Sequence, residues 1–172
     1  MSKLIGAELP DDLYERLSGR RPEAYAGKAI LLVTVDAEGR PHPSMLSHYE
    51  VAARDRRNVG LAVYGATTTA ENLRRRGKAT LLIIDERLAC YVKGAAEETC
   101  GVLRSSQHNA GFNLRIEQVL ADAANEEYEA GAYVAGGVTY YNPDRAAETE
   151  QGQAVLKELI GEAGAETSEH GV

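Results

Sequence analysis

The chain has 172 residues, a formal net charge of −7 and 44% hydrophobic residues. This length fits one domain spanning residues 1–172, and the apolar fraction is sufficient for a core that needs no disulfide bonds. The acidic balance argues against nucleic acid as a partner, because proteins that bind it need surplus cations to displace the counterions of the phosphates.

Other features of composition bear on where the chain works. The N-terminal stretch MSKLIGAELPDD turns acidic too early for a signal peptide, and no apolar run approaches the ~20 residues needed to cross a bilayer. Cys90 and Cys100 form no CxxC pair, so we expect two reduced thiols rather than a disulfide. The four histidines are too scattered to predict a metal site. We therefore expect a cytoplasmic protein with neither a membrane partner nor a bound metal.

The predicted elements begin with a short helix from Asp11 to Leu17, which follows Pro10 and ends before Gly19. The segment AILLVTV, Ala29–Val35, is apolar and rich in β-branched residues, which is typical of a buried strand. Alternating or apolar patterns predict further strands at residues 44–51, 60–64, 79–84, 89–93, 99–104, 112–120 and 138–141. A last amphipathic helix is predicted over about residues 146–163.

This number of short strands, with only two or three helices, argues against alternating strands and helices around a parallel sheet. We predict a mainly β domain, namely a small antiparallel barrel with its core over about residues 25–142 and helices at its ends or edges. A barrel of this size often leaves one sheet face uncovered, which favours dimerisation.

The stretch GATTTAENLRRRGK, which begins at Gly65, has two interpretations. In the first, Thr68 and Glu71 form a capping box, the helix runs from about Thr69 to Arg76, and Gly77 ends it. The three arginines then complement the negative end of the helix dipole. In the second, the hydroxyls of the three threonines and the helix N-terminus bind a phosphate. Its countercharge would come from Arg40, Arg74, Arg75, Lys78 or a second subunit.

Two longer stretches, ILLVTVDAEGRPHPSMLSHYEV and LAVYGATTTAENLRRRGKATLLIIDE, resemble the pyridoxamine 5′-phosphate oxidase-like proteins, which are FMN-binding split barrels. The stretches YVKGAAEE and FNLRIEQVLAD resemble later strands of the same family. The resemblance implies a six-stranded antiparallel split β-barrel of Greek-key topology with a few peripheral helices. It also implies a homodimer that holds its cofactor at the interface, so that each site uses both chains.

The resemblance also implies a set of cofactor-binding residues. The strand after the GRP turn would follow the flavin ring, and the turn before the NL helix would lie near the phosphate and ribityl chain. The first set is Ser44, Met45, Leu46 and Ser47, and the second is Thr67, Thr68, Thr69 and Asn72. Many family members have a basic residue in that turn, where this chain has threonines.

The expected function is that of an FMN-dependent oxidoreductase acting on an unknown small molecule. The C-terminus lacks the Arg-Leu-x-Pro type of motif of the true oxidases, so we do not expect oxidation of pyridoxamine phosphate. One alternative is a dimer that holds FMN, a deazaflavin or haem without turnover, with His42 or His48 as a haem ligand. The other is a barrel that has lost its cofactor. Tyr49 is interpreted as a core residue in preference to a substrate contact.

Overall fold

The computed structural model describes residues 2–161, which form one antiparallel sheet of eight strands and three α-helices. The strands are β1 (Ser2–Gly6), β2 (Ala29–Val35), β3 (Pro41–Ser47), β4 (Val51–Ala53), β5 (Asn58–Tyr64), β6 (Lys78–Asp85), β7 (Leu88–Cys100) and β8 (Asn109–Asp122). The helices are α1 (Asp11–Leu17), α2 (Thr68–Arg76) and α3 (Arg145–Ile160), with a 3₁₀ helix at Pro22–Tyr25.

The sheet curls because its two edge strands are consecutive in the chain. The strand order is β3-β2-β6-β7-β8-β5-β4, with β1 added along β8. Only the three residues 48–50 join β3 to β4, so the two ends of the sheet must come together. Within residues 2–161 these two strands do not pair with each other, which leaves the barrel split at this point. The prediction of a mainly β, antiparallel barrel with peripheral helices is confirmed.

Alternation along the strands sends one set of apolar side chains into the barrel. On β2, Ile30 and Leu32 are buried, whereas Leu31 and Val33 are only partly covered on the outer face. The interior is aliphatic around the single phenylalanine, Phe112, which is fully buried on β8. A second, smaller cluster lies outside the barrel, where α3 packs Val155, Leu156 and Leu159 over Ala52 and Ala62.

Helix α2 begins one residue earlier than the capping box predicts. The N-cap is Thr67, whose Oγ1 accepts a hydrogen bond from the Ala70 N–H at 3.4 Å, so Thr68 is the first helical residue. The predicted pairing of Thr68 with Glu71 is therefore wrong, and Glu71 instead forms an ion pair with Arg75 at 2.8 Å. The predicted end is confirmed, since Gly77 takes the left-handed conformation at φ 57°.

Several other boundaries differ from the predictions. The predicted strand at 44–51 is interrupted, because the Glu50 N–H bonds to the Ser47 carbonyl in a turn. The predicted strand at 89–93 is the first part of a much longer strand, β7, which continues past a bulge at Lys93/Gly94. The predicted strand at 99–104 is wrong beyond its first two residues, because β7 ends at Cys100. Residues 138–141 contribute only an isolated bridge between Lys28 and Thr139. The sheet has eight strands rather than six, and α3 ends at Ile160; residues 162 and 163 of the predicted helix lie outside the described part.

Candidate functional site

A cavity of about 850 Å³ lies beside the split in the barrel. Its walls come from β3, the turn at 48–50, the loop between β7 and β8, and the first half of α3. This volume lies within the range of small-molecule sites. The predicted ring-contacting residues Met45, Leu46 and Ser47 line the cavity, whereas Ser44 does not.

The backbone of β3 has an unpaired edge at the cavity. Within residues 2–161, β3 pairs only with β2. The Ser47 N–H points away from β2, because it donates to Glu50 Oε2 at 2.7 Å. In an antiparallel strand the N–H two residues earlier points the same way, so the Met45 N–H also faces outward. Pro41 and Pro43, which lack an N–H, occupy the two preceding positions of this set. Met45 therefore presents the unpaired N–H of this edge.

The Glu50 carboxylate holds the end of β3. Its Oε2 accepts hydrogen bonds from the Ser47 N–H at 2.7 Å and from the Ser47 hydroxyl at 2.9 Å. Burial raises the pKa of the Glu50 carboxyl, the two bonds from Ser47 oppose this change, and the charge of Glu148 adds to it. The Ser47 N–H and hydroxyl are thus both engaged by Glu50. Ser47 therefore has fewer hydrogen-bond donors left for a ligand than its position on the strand implies.

Tyrosines and a second glutamate complete the wall on the side of α3. Tyr140 donates a hydrogen bond to Glu148, and burial together with this bond raises the pKa of the Tyr140 hydroxyl. Tyr49 is only 4% exposed, and its hydroxyl has no hydrogen-bond partner within residues 2–161. Ser105 lines the same cavity, and its hydroxyl is likewise buried without a hydrogen-bond partner within residues 2–161.

The second predicted set, on the turn before α2, does not line this cavity. The Thr67 hydroxyl donates to the Tyr64 carbonyl at 2.7 Å, and Tyr64 is itself part of the cavity wall. Thr68 is exposed, whereas the Thr69 side chain is buried. Asn72 is also buried, and its Nδ2 donates to Thr34 Oγ1 on β2 at 3.0 Å. Thr67 and Thr68 are therefore the exposed side chains of this set, and the Thr67 hydroxyl is already engaged within the chain.

The cations near the threonine turn are engaged in ion pairs or hydrogen bonds. Arg74 pairs with Glu98 at 2.7 Å and also donates to the Gly65 carbonyl at 2.9 Å. Arg75 pairs with Glu71, and Lys78 lies 3.6 Å from Glu117. These contacts support the first interpretation of the arginine run, in which it stabilises the local structure.

His48 packs into a buried polar cluster on the other side of the turn. Its ring stacks on Tyr25 with 4.7 Å between the ring centroids. Asp85 accepts hydrogen bonds at 2.5 Å from both Arg16 and Lys28 in the same cluster. Burial, aided by the charge of Arg16, lowers the pKa of His48 to about 3. A haem ligand would need an accessible imidazole, so this packing argues against His48 in that role.

Sequence reasoning missed most of the α3 side of the cavity. No motif or spacing pointed to a site formed by Glu50, Tyr140 and Glu148, because these residues are far apart in the chain. Tyr49 is buried as expected, but it also lines the cavity. Cys90 and Cys100 are free thiols, as predicted. None of the helices within residues 2–161 is both long and apolar enough to cross a bilayer.

Comparison with known proteins identifies the relatives of this chain. No family model matches it. The uncharacterized protein YclD of Bacillus subtilis (strain 168) is 30% identical over 116 residues, which are 67% of this chain and 75% of YclD. A "putative pyridoxamine 5′-phosphate oxidase" of Lactobacillus delbrueckii superposes with a TM-score of 0.53 at 21% identity, over 69% of this chain and 98% of that structure.

HupZ of Group A Streptococcus superposes with a TM-score of 0.52 at 15% identity, over 67% of this chain and 99% of that structure. At such identities the two structures show the fold alone. The agreement in fold matches the resemblance seen in the sequence. The chain therefore belongs to the same family as YclD, and its fold is the split barrel of the pyridoxamine 5′-phosphate oxidase-like proteins.

Proposed function

We propose that the chain is an FMN-dependent oxidoreductase that acts as a homodimer on a small molecule. The observation that carries the proposal is the unpaired edge of β3, which borders a cavity of about 850 Å³. In the proposal, the flavin ring lies along Met45, Leu46 and Ser47.

The residues at this edge fit a flavin ring. Among residues 2–161 no strand pairs with the outer side of the Met45 N–H and carbonyl, and a flavin ring edge carries complementary acceptors and donors. Leu46 and Val155 give the cavity an apolar wall on which a planar ring can pack. FMN, when bound, supplies hydride and single-electron transfer. The contribution of the chain is to orient the ring at Met45 and to exclude water from its face.

The fit to the phosphate is weaker and depends on a second protomer. Thr68 and the exposed start of α2 offer a hydroxyl and a helix N-terminus. The nearby Arg74 and Arg75 are paired with glutamates, so the countercharge is assigned to Arg40 or to the partner chain. A dimer is therefore part of the proposal.

The outer face of the sheet supports a second copy as the partner. Paired residues form an apolar row across six strands: Met45, Leu31, Leu82, Tyr91, Leu120 and Leu4. Met45 is 63% exposed and Leu4 is 60% exposed, at the two ends of the row. The row begins at the same strand that borders the cavity, so pairing two copies through it would bring a second chain next to the proposed ring.

The first test is the absorption spectrum of the freshly purified protein, followed by titration of the stripped protein with FMN. A flavin spectrum, or binding at about micromolar concentration, supports the proposal. A Met45→Pro variant removes the unpaired N–H where Pro41 and Pro43 show that the edge tolerates proline. Met45→Leu is its matched control. We expect Met45→Pro to lose at least about tenfold in FMN affinity and Met45→Leu to retain it.

Two results would contradict the proposal. One is the absence of FMN binding, and a haem or deazaflavin spectrum would then identify one of the alternative cofactors. The other is a wild-type protein that remains monomeric in sedimentation velocity at every concentration. If the dimer forms, Leu82→Asp should dissociate it without loss of the far-UV circular dichroism signal, because Leu82 lies in the middle of the apolar row.

A further inference from the structure

A second cavity, of about 560 Å³, lies against a different face of α3 from the cavity beside the split. Its walls come from within residues 14–23, 53–54 and 153–160, and we call it the basic groove. The described walls of the two cavities share no residue. The volume of the basic groove falls within the range of small-molecule sites, and the proposed flavin function makes no use of it.

The basic groove is formed by the fold itself and has an accessible apolar floor. Gly19, in the turn after α1, lies so close to α3 that a Cβ there would stand 2.6 Å from Ile160 Cδ1. This turn therefore packs directly on the helix and fixes the shape of the groove. Tyr14 and Ile160 line the groove and are half-buried, so part of each side chain can contact a ligand.

The charges of the basic groove are opposite in balance to those of the whole chain, whose net charge is −7. Three basic side chains line it, Arg20, Arg54 and Lys157, against one acidic side chain, Glu23. Arg20 pairs with Glu15 at 3.1 Å. Within residues 2–161, Arg54 and Lys157 take part in no ion pair. These two cations therefore lie at a cavity without a bound carboxylate.

Arg54 is held in position with most of its hydrogen-bond donors free. Its Nε donates to the Leu159 carbonyl at 2.7 Å, near the end of α3. Its two terminal nitrogens have no hydrogen bond within residues 2–161. The adjacent Asp55 carboxylate accepts instead from the Arg57 N–H at 2.7 Å and from Asn58 Nδ2 at 2.9 Å. The two terminal nitrogens of a guanidinium match the two oxygens of one carboxylate, so Arg54 is prepared for such a ligand.

We propose that the basic groove binds the carboxylate of a small organic acid whose body is apolar. Arg54 takes the two carboxylate oxygens, and Lys157 adds a second positive charge. The apolar body of the acid lies on Tyr14 and Ile160. Binding of the acid requires only residues of one chain and no cofactor. A failure of this inference therefore leaves the FMN titration above unaffected.

A fully polar anion fits the basic groove less well. Inorganic phosphate or acetate would meet the charges of Arg54 and Lys157 but would leave Tyr14 and Ile160 uncovered. Burial of apolar surface adds to affinity roughly in proportion to its area, so an acid with a ring or chain gains more from this site. Inorganic phosphate and acetate are therefore controls in the test.

The test compares carboxylates with their neutral amides by isothermal titration calorimetry of the purified full-length protein near neutral pH. The pairs are benzoate with benzamide, phenylacetate with phenylacetamide, and 2-naphthoate with 2-naphthamide. We expect at least one carboxylate to bind with a Kd below about 1 mM and about tenfold more tightly than its amide. The inference is overturned if no carboxylate binds at about 1 mM, if each amide binds as well as its acid, or if phosphate or acetate binds as tightly.

The position of the bound acid is read from the backbone amides by two-dimensional NMR. We expect the carboxylate to shift the amide signals of Gly19 and Ile160, which line the basic groove, and to leave those of Met45 and Ser47 unchanged. Shifts at Met45 and Ser47 without shifts at Gly19 and Ile160 would place the acid in the other cavity and would overturn the assignment.

Charge-neutral variants identify the residues that bind the acid. Lys157→Gln and Arg54→Gln should each weaken carboxylate binding about tenfold and leave amide binding unchanged. Lys157 is exposed and has no described partner, so its variant should fold even if the loss of the bond from Arg54 to Leu159 prevents folding. Arg57→Gln is the matched control, because Arg57 pairs with Glu8 on the surface outside the groove. An equal loss in Arg57→Gln and Lys157→Gln would indicate a general effect of charge and would contradict the site.

Discussion

The ring of Tyr49 lies so close to Gly152 that a Cβ at residue 152 would stand 2.5 Å from Tyr49 Cγ. Gly152 is on α3, and Tyr49 is in the turn that joins the two edges of the sheet. The contact therefore fixes the distance between α3 and the split in the barrel. Both residues line the cavity.

Gly152→Ala should destabilise the protein by about 1–3 kcal/mol, because the added methyl group must displace Tyr49 or the helix. Alanine favours a helix over glycine by about 1 kcal/mol, so a net loss shows that the clash dominates. Gly136→Ala is the control, since no atom of the described residues beyond its chain neighbours lies within 4 Å of its Cβ position. The measurement is urea unfolding, and a Gly152→Ala protein more stable than the wild type would contradict the packing described.

Thr67→Ala and Thr68→Ala form a matched pair that tests the start of α2. Thr67→Ala should lower the free energy of unfolding by about 1 kcal/mol, because the Thr67 side chain accepts from the Ala70 N–H and donates to the Tyr64 carbonyl. Thr68 is exposed at the first helical position, so Thr68→Ala should change the free energy of unfolding by no more than about 0.5 kcal/mol. Chemical unfolding of both variants shows which threonine is the N-cap of α2. A larger loss of stability in Thr68→Ala than in Thr67→Ala would identify Thr68 as the cap.

Asp85→Asn should destabilise the fold by about 3 kcal/mol, because it leaves Arg16 and Lys28 without their shared carboxylate. Burial alone would raise the pKa of Asp85, but the hydrogen bonds from Lys28 and Arg16 outweigh it and hold the pKa well below its usual 3.8. The carboxylate therefore stabilises the fold at pH values above 3.8, and this stability is lost as the pH falls towards the folded-state pKa. Unfolding curves between roughly pH 5 and pH 2 measure it, with the exposed neighbour change Glu86→Gln as control.

His48 should make the fold less stable in mild acid. The pKa of His48 is lowered by burial and Arg16 from 6.5 to about 3, while Asp85 and Lys28 contribute in opposite directions. The unfolded chain then binds a proton that the folded chain excludes, so stability decreases as the pH falls from 6.5 towards 3.

His48→Phe keeps an aromatic ring next to Tyr25 and removes the titration, so it should flatten the dependence of stability on pH in this window. His108→Asn, in an exposed loop, is the control and should leave the dependence unchanged. In NMR, the imidazole of His48 should remain neutral down to about pH 4. Protonation of the folded protein near pH 6.5 would contradict the buried position.

Local patterns predicted the elements whose signal is contained within a few residues. The first helix, Asp11–Leu17, and the strand Ala29–Val35 were predicted with the correct ends, because a proline start and a continuous apolar run define them. Only the first part of the long strand β7 was predicted, because its second half, which includes Glu97 and Glu98, carries no apolar alternation. Strand β1 was missed since its residues are mostly exposed and pair only with the distant β8.

The residues of the candidate site also divide into those that local patterns predicted and those that only the fold brings together. Met45, Leu46 and Ser47 were placed on one strand from the sequence, and the structure brings them to a cavity. Local patterns did not indicate the contact that Asn72 makes. Its side chain forms a hydrogen bond to Thr34, which is 38 residues away in the chain. The sequence also did not indicate that Glu50 and Glu148 share a cavity, because they are nearly a hundred positions apart and meet only when α3 packs across the sheet.

The sequence by itself determined the antiparallel barrel class, the helix that ends at Gly77 and the strand proposed to follow the flavin ring. These features depend on alternation, glycine conformation and short-range order, which residues close in the chain specify. Only the tertiary structure decided that the sheet splits between β3 and β4, that Thr67 is the cap, and that Glu50 and Glu148 line one cavity. Such features depend on how the sheet curls and where α3 packs, and they arise from contacts between residues far apart in the chain.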